Sequence, residues 1–153
     1  VWGESQGGHA ALWTGQLART DGEGLRLLGV AAAVPVTDIA ANLRQASDAN
    51  ARAFLTALAT DSWSRYYGVP LRIGRARTPG IIRKLAGNCV SGGGAPKIGG
   101  LLGVLALRQD LRNVDLGRTQ PWANFGLANN PTPISQVPVL IAQDVADPLS
   151  PLR

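Results

Sequence analysis

A short glycine-rich run near the start of the chain, Gly3-Glu4-Ser5-Gln6-Gly7, restricts the fold more than any other feature of the sequence. It fits the pattern Gly-x-Ser-x-Gly, in which a serine occupies a sharp turn between a strand and a helix. Small residues on either side of the serine allow this tight bend, so side chains at Gly3 or Gly7 are expected to collide with the neighbouring strand or helix. The pattern therefore predicts a strained turn that lifts the Ser5 hydroxyl clear of a sheet.

The residues around this run have the order of elements that such a turn requires. Val1-Trp2 predicts the end of a hydrophobic strand, and residues 6–19 have the apolar spacing of a partly covered helix. A turn at residues 21–24 precedes residues 25–33, which are typical of a buried strand. A glycine-serine loop alone is common, but this order favours a nucleophile elbow with Ser5 as the nucleophile. The backbone N–H of Gln6 would then face the oxyanion that forms during attack.

Three blocks of sequence extend this pattern: Gly-Glu-Ser-Gln-Gly-Gly-His-Ala-Ala-Leu-Trp-Thr at 3–14, Ala-Val-Pro-Val-Thr-Asp at 33–38, and Pro-Val-Leu-Ile-Ala-Gln-Asp-Val-Ala-Asp-Pro-Leu at 138–149. In this order they resemble the secretory lipases of the α/β-hydrolase superfamily, whereas residues 39–120 match only loosely. The resemblance implies an α/β fold, namely the C-terminal part of an α/β-hydrolase, with a mostly parallel sheet flanked by helices. It also implies a secreted lipase or esterase of lipid catabolism that needs no cofactor, acts on a lipid or small-molecule ester and contacts a lipid interface.

If the chain is part of an α/β-hydrolase, it divides into three parts of one hydrolase domain. Residues 1–38 hold the nucleophile strand, its helix and the following strand, and residues 137–153 hold a further core strand and the acid loop. Residues 39–136 form a mainly helical insertion, which is longer than a connection between two strands normally needs and is therefore expected to be functional. The resemblance implies that this insertion acts as a lid.

A serine nucleophile needs a base and a carboxylate that orients the base, and in this fold the chain order is serine, acid, histidine. Residues 137–142 predict a short buried strand, and the resemblance puts the catalytic acid at Asp147 in the loop after it. Asp144 is the alternative. The lipase family usually has glycine at this point of the turn, so Asp144 departs from the family pattern and leaves the choice between the two acids open. Asp38 is a third candidate, although its place before residues 39–43 also fits a helix N-cap.

The base of this triad has no candidate within the sequence. The single histidine, His9, lies one helical turn after Ser5 and points to the side of its helix rather than over the hydroxyl. The secretory lipases that the chain resembles have a histidine at the position of His9 that does not act as the base. We therefore interpret His9 as a packing or hydrogen-bonding residue. The triad histidine and the second oxyanion donor are expected outside the chain, which predicts that it is an inactive internal fragment.

The insertion contains apolar residues at helical spacing over 39–59 and 98–111, with a loose glycine-rich stretch at 91–96. This stretch and Lys97 lack the ending of a phosphate-binding loop, which favours a flexible hinge. Several side chains fit either an acyl pocket under a lid or ordinary core: Leu101, Leu102, Val104 and Leu105. The aromatic residues are open to the same two interpretations: Trp63, Tyr66, Tyr67, Trp122 and Phe125.

Composition and charge argue against a nucleic-acid-binding protein and against a zinc site. The net charge of +5 is spread along the chain, and no basic run alternates with aromatic residues, so no nucleic acid partner is predicted. The pairs Arg75/Arg77 and Arg83/Lys84 are expected on a solvated surface. One histidine and one cysteine do not supply the ligands of a zinc site, so no metal is expected. The pairing of Cys89 and the oligomeric state stay open.

Two further functions fit the same residues. An acyltransferase or a peptidase remains open, because the elbow determines the nucleophile and not the acceptor of the acyl group. A catalytically silent binding domain that has kept the elbow is the alternative from a different class.

Overall fold

The computed structural model describes residues 1–87, 98–134 and 137–147. Within these residues the chain has a mixed α/β arrangement of three short strands and six helices. In chain order the elements are β1 (Trp2–Glu4), α1 (Gln6–Asp21), β2 (Val30–Ala33), α2 (Ile39–Gln45), α3 (Ala49–Tyr66), α4 (Thr78–Ala86), α5 (Ile98–Asp110), α6 (Trp122–Ala128) and β3 (Val139–Ala142).

The three strands form one parallel sheet in the order β1-β2-β3. Glu4 is opposite Ala33, and Ala33 is opposite Ala142. The pairing continues one step beyond the strands, because the Ser5 amide donates to the Ala33 carbonyl at 2.9 Å. The segments that follow the three strands therefore emerge side by side, and we call this end of the sheet the carboxyl edge.

Helix α1 covers one face of β1 and β2. Ala11 and Leu12 of the helix pack with Val30 and Ala32 of β2 in a small buried core. Gly15 allows the close approach, since a Cβ on it would lie 2.7 Å from Val30 Cγ2. The packing determines where α1 begins relative to the sheet, and hence where the turn at Ser5 lies.

The described residues between β2 and β3 form five helices around a second, larger core. Helix α3 is at its centre and packs against α2, α4, α5 and α6. We call this part of the chain the helical body. Its most deeply buried side chains include Ala57, Ile82, Leu107 and Trp122.

The segment that returns from the helical body to β3 is tied down by α1 and by the start of α2. The Trp13 indole donates to the Asn129 carbonyl at 3.1 Å, and the Thr132 amide donates to the Gln16 side chain at 2.9 Å. The Ile39 amide donates to the Asn130 side chain at 3.0 Å. These bonds connect the helical body to the sheet.

The predicted strand over 25–33 is wrong in length. Only Val30–Ala33 is a strand, because β1 pairs with residues 31–33 and β3 with residues 30–33, and neither pairs with residues 25–28. Leu25 and Leu28, expected to be buried, are 82% and 73% exposed. The helix expected over 39–59 is divided into α2 and α3 at residues 46–48, where Asp48 caps the second helix.

The last strand was expected to be buried, and this is wrong for β3, all four residues of which are exposed. Helix α1 packs against β1 and β2 but not against β3, so nothing among the described residues covers this edge strand. Among the helices of the described residues, none has the length and apolar character needed to cross a bilayer. Cys89, the stretch at 91–96 and Lys97 lie outside the described residues.

Candidate functional site

Ser5 lies directly between β1 and α1, at backbone angles that few residues adopt. Its φ is 53° and its ψ is −116°, and such a conformation costs about 1–3 kcal/mol and persists only where the surroundings impose it. The surroundings of Ser5 impose it, because the Ser5 amide is bonded to the Ala33 carbonyl and the Ser5 carbonyl accepts the His9 amide at 3.0 Å. The strand, turn and helix predicted for this run are therefore present.

The Ser5 hydroxyl is not used to cap α1. An N-cap serine normally accepts a hydrogen bond from an amide of the first turn, in an extended conformation with negative φ. The positive φ of Ser5 excludes that geometry, and the side chain makes no capping bond. Since Ser5 is also exposed, its hydroxyl is accessible at the carboxyl edge.

The tight turn depends on Gly3 and Gly8. A Cβ on Gly3 would overlap the Gly7 carbonyl, and a Cβ on Gly8 would lie 2.9 Å from the Ala33 carbonyl oxygen. The prediction of a collision is correct for Gly3 but wrong for Gly7, where an added Cβ would meet no atom within 4 Å apart from its own stretch of the chain. The reason is the phase of α1, whose first turn presents buried Gly8 to the sheet and exposed Gly7 to solvent.

Gln6 is the first residue of α1. The amides of a first helical turn have no acceptor within the helix, and they carry the partial positive charge of the helix dipole. A serine hydroxyl and an N–H of a first helical turn are therefore adjacent in the chain. Oxyanion holes are built from N–H groups of this kind.

Val34 is a second strained residue at the same edge. It follows β2 directly and has a φ of 43°, which is rare for a β-branched side chain. Its amide donates to the Ala142 carbonyl at 2.7 Å. Residues in strained conformations cluster at functional sites, and here both follow neighbouring strands of one sheet.

His9 is anchored by a hydrogen bond to the main chain. Its Nδ1 lies 2.7 Å from the Val36 carbonyl oxygen, and since a carbonyl only accepts, Nδ1 carries the proton. The interpretation of His9 as a hydrogen-bonding residue is confirmed. It connects α1 to the loop after β2.

The three candidate acids differ in what their carboxylates do. Asp144 Oδ1 accepts the Ala146 amide at 2.9 Å, so this side chain closes the turn after β3. Asp147 is half-buried in the same loop, and its amide is 3.3 Å from the Asp144 carbonyl. Asp38 is the N-cap of α2 and accepts the Ala41 amide at 2.9 Å, which confirms its predicted capping role.

The apolar residues of the insertion divide into two groups. Val104 packs against the core of the helical body, whereas Leu101, Leu102 and Leu105 are 49%, 62% and 44% exposed. The three exposed leucines form what we call the leucine strip of α5. The aromatic side chains mostly pack: Trp63 and Trp122 are buried, Tyr67 stacks on Phe125 at 4.1 Å, and only Tyr66 is largely exposed.

Sequence analysis missed two polar groupings. Asp110 is buried in a cluster with Arg75, Arg77 and Thr78; the two arginines are exposed, as expected, but their guanidinium groups also pair with this buried carboxylate. Four other arginines line a cavity of the helical body: Arg44, Arg52, Arg108 and Arg112. The only signal was the spacing of four residues between Arg108 and Arg112, which would place like charges on one side of a continuous helix, although α5 ends at Asp110.

In the described ranges, no three side chains of histidine, cysteine, aspartate or glutamate are grouped so that they could hold a metal ion. No protein-family model, curated protein or solved structure matches the chain.

Proposed function

We propose that this chain is part of a serine hydrolase of the α/β-hydrolase superfamily that cleaves carboxylic esters, with lipid esters as the substrate class. The observation that carries the proposal is the conformation of Ser5. A serine in a strained turn after a parallel strand, at the start of a helix that it does not cap, is the arrangement expected of a nucleophile elbow. The parallel order β1-β2-β3 is consistent with the consecutive nucleophile, middle and acid strands of such a sheet.

In the proposed mechanism, Ser5 Oγ attacks the ester carbonyl and forms a tetrahedral intermediate. The Gln6 N–H stabilises the negative charge on the carbonyl oxygen. A histidine from outside these residues takes the Ser5 proton and passes it to the leaving alcohol, after which water releases the acyl group.

Asp147 is proposed to orient that histidine. Strands β1 and β3 are separated by β2, so their ends are roughly 10 Å apart at the usual strand spacing, which leaves room for an imidazole between Ser5 and the acid loop. Asp144 closes the turn that precedes Asp147, and Asp147 is proposed as the acid because the resemblance puts the acid at this place in the loop after the strand.

The leucine strip supports a lipid ester as substrate. Exposed leucines on a helix of the insertion are suited to contact an acyl chain or a lipid surface. In this proposal the helical body is the cover of the site, and the strip is its apolar face.

Ester turnover by the full-length protein tests the nucleophile. Ser5→Ala is expected to lower kcat for p-nitrophenyl butyrate by about 10⁴–10⁶-fold, because loss of a triad nucleophile removes the acyl-enzyme route. Ser62→Ala, at an exposed position in α3, is the matched control and should leave kcat unchanged. Full activity in Ser5→Ala would eliminate Ser5 from the mechanism.

The same assay separates the two acids. Asp147→Asn is expected to lower kcat by about 10⁴-fold through loss of histidine orientation. Asp144→Asn should retain most activity, since its side-chain oxygen can still accept the Ala146 amide. Equal and mild losses in both variants would show that neither is the catalytic acid.

The position of His9 favours a second candidate, the catalytically silent binding domain. The only histidine of the sequence lies one helical turn after Ser5, on the side of α1, where its Nδ1 is bonded to the Val36 carbonyl, so without a histidine elsewhere Ser5 lacks the base of a triad. An absence of turnover in the full-length protein, together with no covalent labelling of Ser5 by a fluorophosphonate, would favour this candidate. Labelling without hydrolysis would instead direct attention to an acyltransferase or a peptidase of the same fold.

A further inference from the structure

A cavity of about 260 Å³ lies in the helical body between α2, α3 and the end of α5. None of the residues placed in the ester-cleaving site lines it. Four arginines do: Arg44 from α2, Arg52 from α3, Arg108 from α5 and Arg112 from the turn that follows α5. We call it the arginine cavity.

The positive charge of the arginine cavity is only partly balanced. Asp115 is the one acidic residue in its lining, and it is shared between Arg44 at 3.7 Å and Arg118, also at 3.7 Å. Within the described part of the chain, no carboxylate forms an ion pair with the guanidinium groups of Arg52, Arg108 or Arg112. Like charges gathered around one cavity repel each other, and an anion among them relieves that repulsion.

Asp48 is a further acid to consider, because its carboxylate interacts electrostatically with Arg108. Its carboxylate is occupied as the N-cap of α3, where it accepts the Asn50 amide at 2.8 Å and the Ala51 amide at 3.0 Å. These bonds, and to a smaller extent the charge of Arg108, hold the pKa of Asp48 below its ordinary value. Counting Asp48 and Asp115 against the four arginines still leaves an excess of positive charge. Because Asp48 occupies the first amides of α3, an anion would have to be held by the arginines.

Part of the cavity lining is apolar. Leu43, Ala53, Leu111 and Leu116 are buried side chains that line it. A lining that combines arginines with buried apolar side chains matches a ligand with a charged head and a hydrocarbon body. With roughly 30 Å³ for each water molecule in the liquid, the volume corresponds to about eight to ten non-hydrogen atoms.

We propose that the arginine cavity binds a small organic anion, in which a carboxylate or phosphate head contacts the arginines and a short hydrocarbon body lies against the leucines. Guanidinium groups bind both heads through paired hydrogen bonds. The site is independent of the reaction proposed at Ser5, so its test requires no ester turnover.

Isothermal titration calorimetry at low ionic strength provides the test, with hexanoate, n-butyl phosphate, inorganic phosphate and 1-hexanol as probes. We expect hexanoate or n-butyl phosphate to bind more tightly than inorganic phosphate, which lacks the hydrocarbon body. The uncharged 1-hexanol should not bind measurably, and added salt should weaken the binding of the anions. Comparison of hexanoate with n-butyl phosphate identifies the preferred head.

Variants locate the binding. Arg52→Gln and Arg112→Gln should each lower the affinity for the anion that binds more tightly, hexanoate or n-butyl phosphate, by about 10–100-fold. This is the loss expected for a charge-assisted hydrogen bond. Arg72→Gln, at an exposed arginine outside the cavity lining, is the matched control and should bind as the parent does. Ala49→Leu, which narrows the cavity, should weaken hexanoate more than inorganic phosphate.

Three outcomes would overturn the proposal. The first is an absence of binding by every anion, and the second is equal binding of 1-hexanol and hexanoate. The third is a loss of affinity in Arg72→Gln as large as in Arg52→Gln, which would indicate general attraction to a basic surface. The substituted arginines are not core residues, so each variant is expected to fold. Circular dichroism of each variant checks this.

Discussion

At the scale of single residues, the conformation of Ser5 is imposed by its neighbours rather than by its own side chain. Gly3 lets the first turn of α1 cross β1 without overlap, and Gly8 lets the same turn approach the end of β2. The motif indicates that glycines are needed but not which of them faces the sheet. That depends on the phase of the helix, which is why Gly7 was wrongly expected to be confined.

A pair of alanine substitutions tests this account. Gly3→Ala should lower the free energy of unfolding by about 2 kcal/mol or more, because its Cβ overlaps backbone that cannot move freely. Gly7→Ala should be neutral or should stabilise by up to about 1 kcal/mol, since alanine is the better helix residue and has space there. Urea denaturation measures both. Equal destabilisation by the two substitutions would contradict the geometry described for the turn.

At the scale of elements, α4 and α5 are joined by a buried carboxylate. Asp110, at the end of α5, accepts two bonds from the Arg77 guanidinium at 2.9 and 3.0 Å, and one from the Thr78 hydroxyl at 3.0 Å. Its side chain is fully buried, whereas that of Arg77 is 57% exposed. Arg77 and Asp110 are separated by 33 positions and have no local pattern that connects them. This contact between α4 and α5 was therefore not predictable from the sequence.

The buried Asp110 carboxylate should make the free energy of unfolding depend on pH. The hydrogen bonds from Arg77 hold the pKa of Asp110 below its ordinary value of 3.8, although burial alone would raise it. The stabilisation is therefore complete above the unfolded-state pKa of about 3.9 and is lost as the pH falls through the lower folded-state value. At neutral pH, Asp110→Asn should cost about 1–3 kcal/mol.

The difference between the parent and Asp110→Asn should shrink as the pH is lowered through and below 3.8, since the parent then also loses its carboxylate charge. Urea denaturation at a series of pH values measures it. Glu23→Gln, which replaces an exposed acid in the loop after α1, is the control and should show no such trend. A cost in Asp110→Asn that is independent of pH would mean that packing, and not the ion pair, is lost.

At the scale of the whole molecule, sequence analysis predicted the parts that depend on local pattern. The strand, turn and helix around Ser5, the N-cap at Asp38 and most of α5 are of this kind, because each depends on neighbouring residues. Burial was predicted less well. Leu25, Leu28 and the residues of β3 look like core residues, but they are exposed because no described element packs against them.

The candidate site follows the same division. Ser5 and Gln6 are recognisable from a short motif, whereas the relation of Asp147 to them depends on the parallel pairing of three strands far apart in the chain. The arginine cavity is assembled from two helices and the end of a third, so no single stretch of sequence contains it.

The presence of two separate cores has a consequence for how such a protein can diverge. The helical body has its own core, and each of the three bonds described between the return segment and the helices α1 and α2 uses a main-chain group on one side. Substitutions inside the helical body can therefore accumulate while the backbone around Ser5 keeps its shape. Descendants of one ancestor can in this way change the lining of the arginine cavity and retain the turn at Ser5.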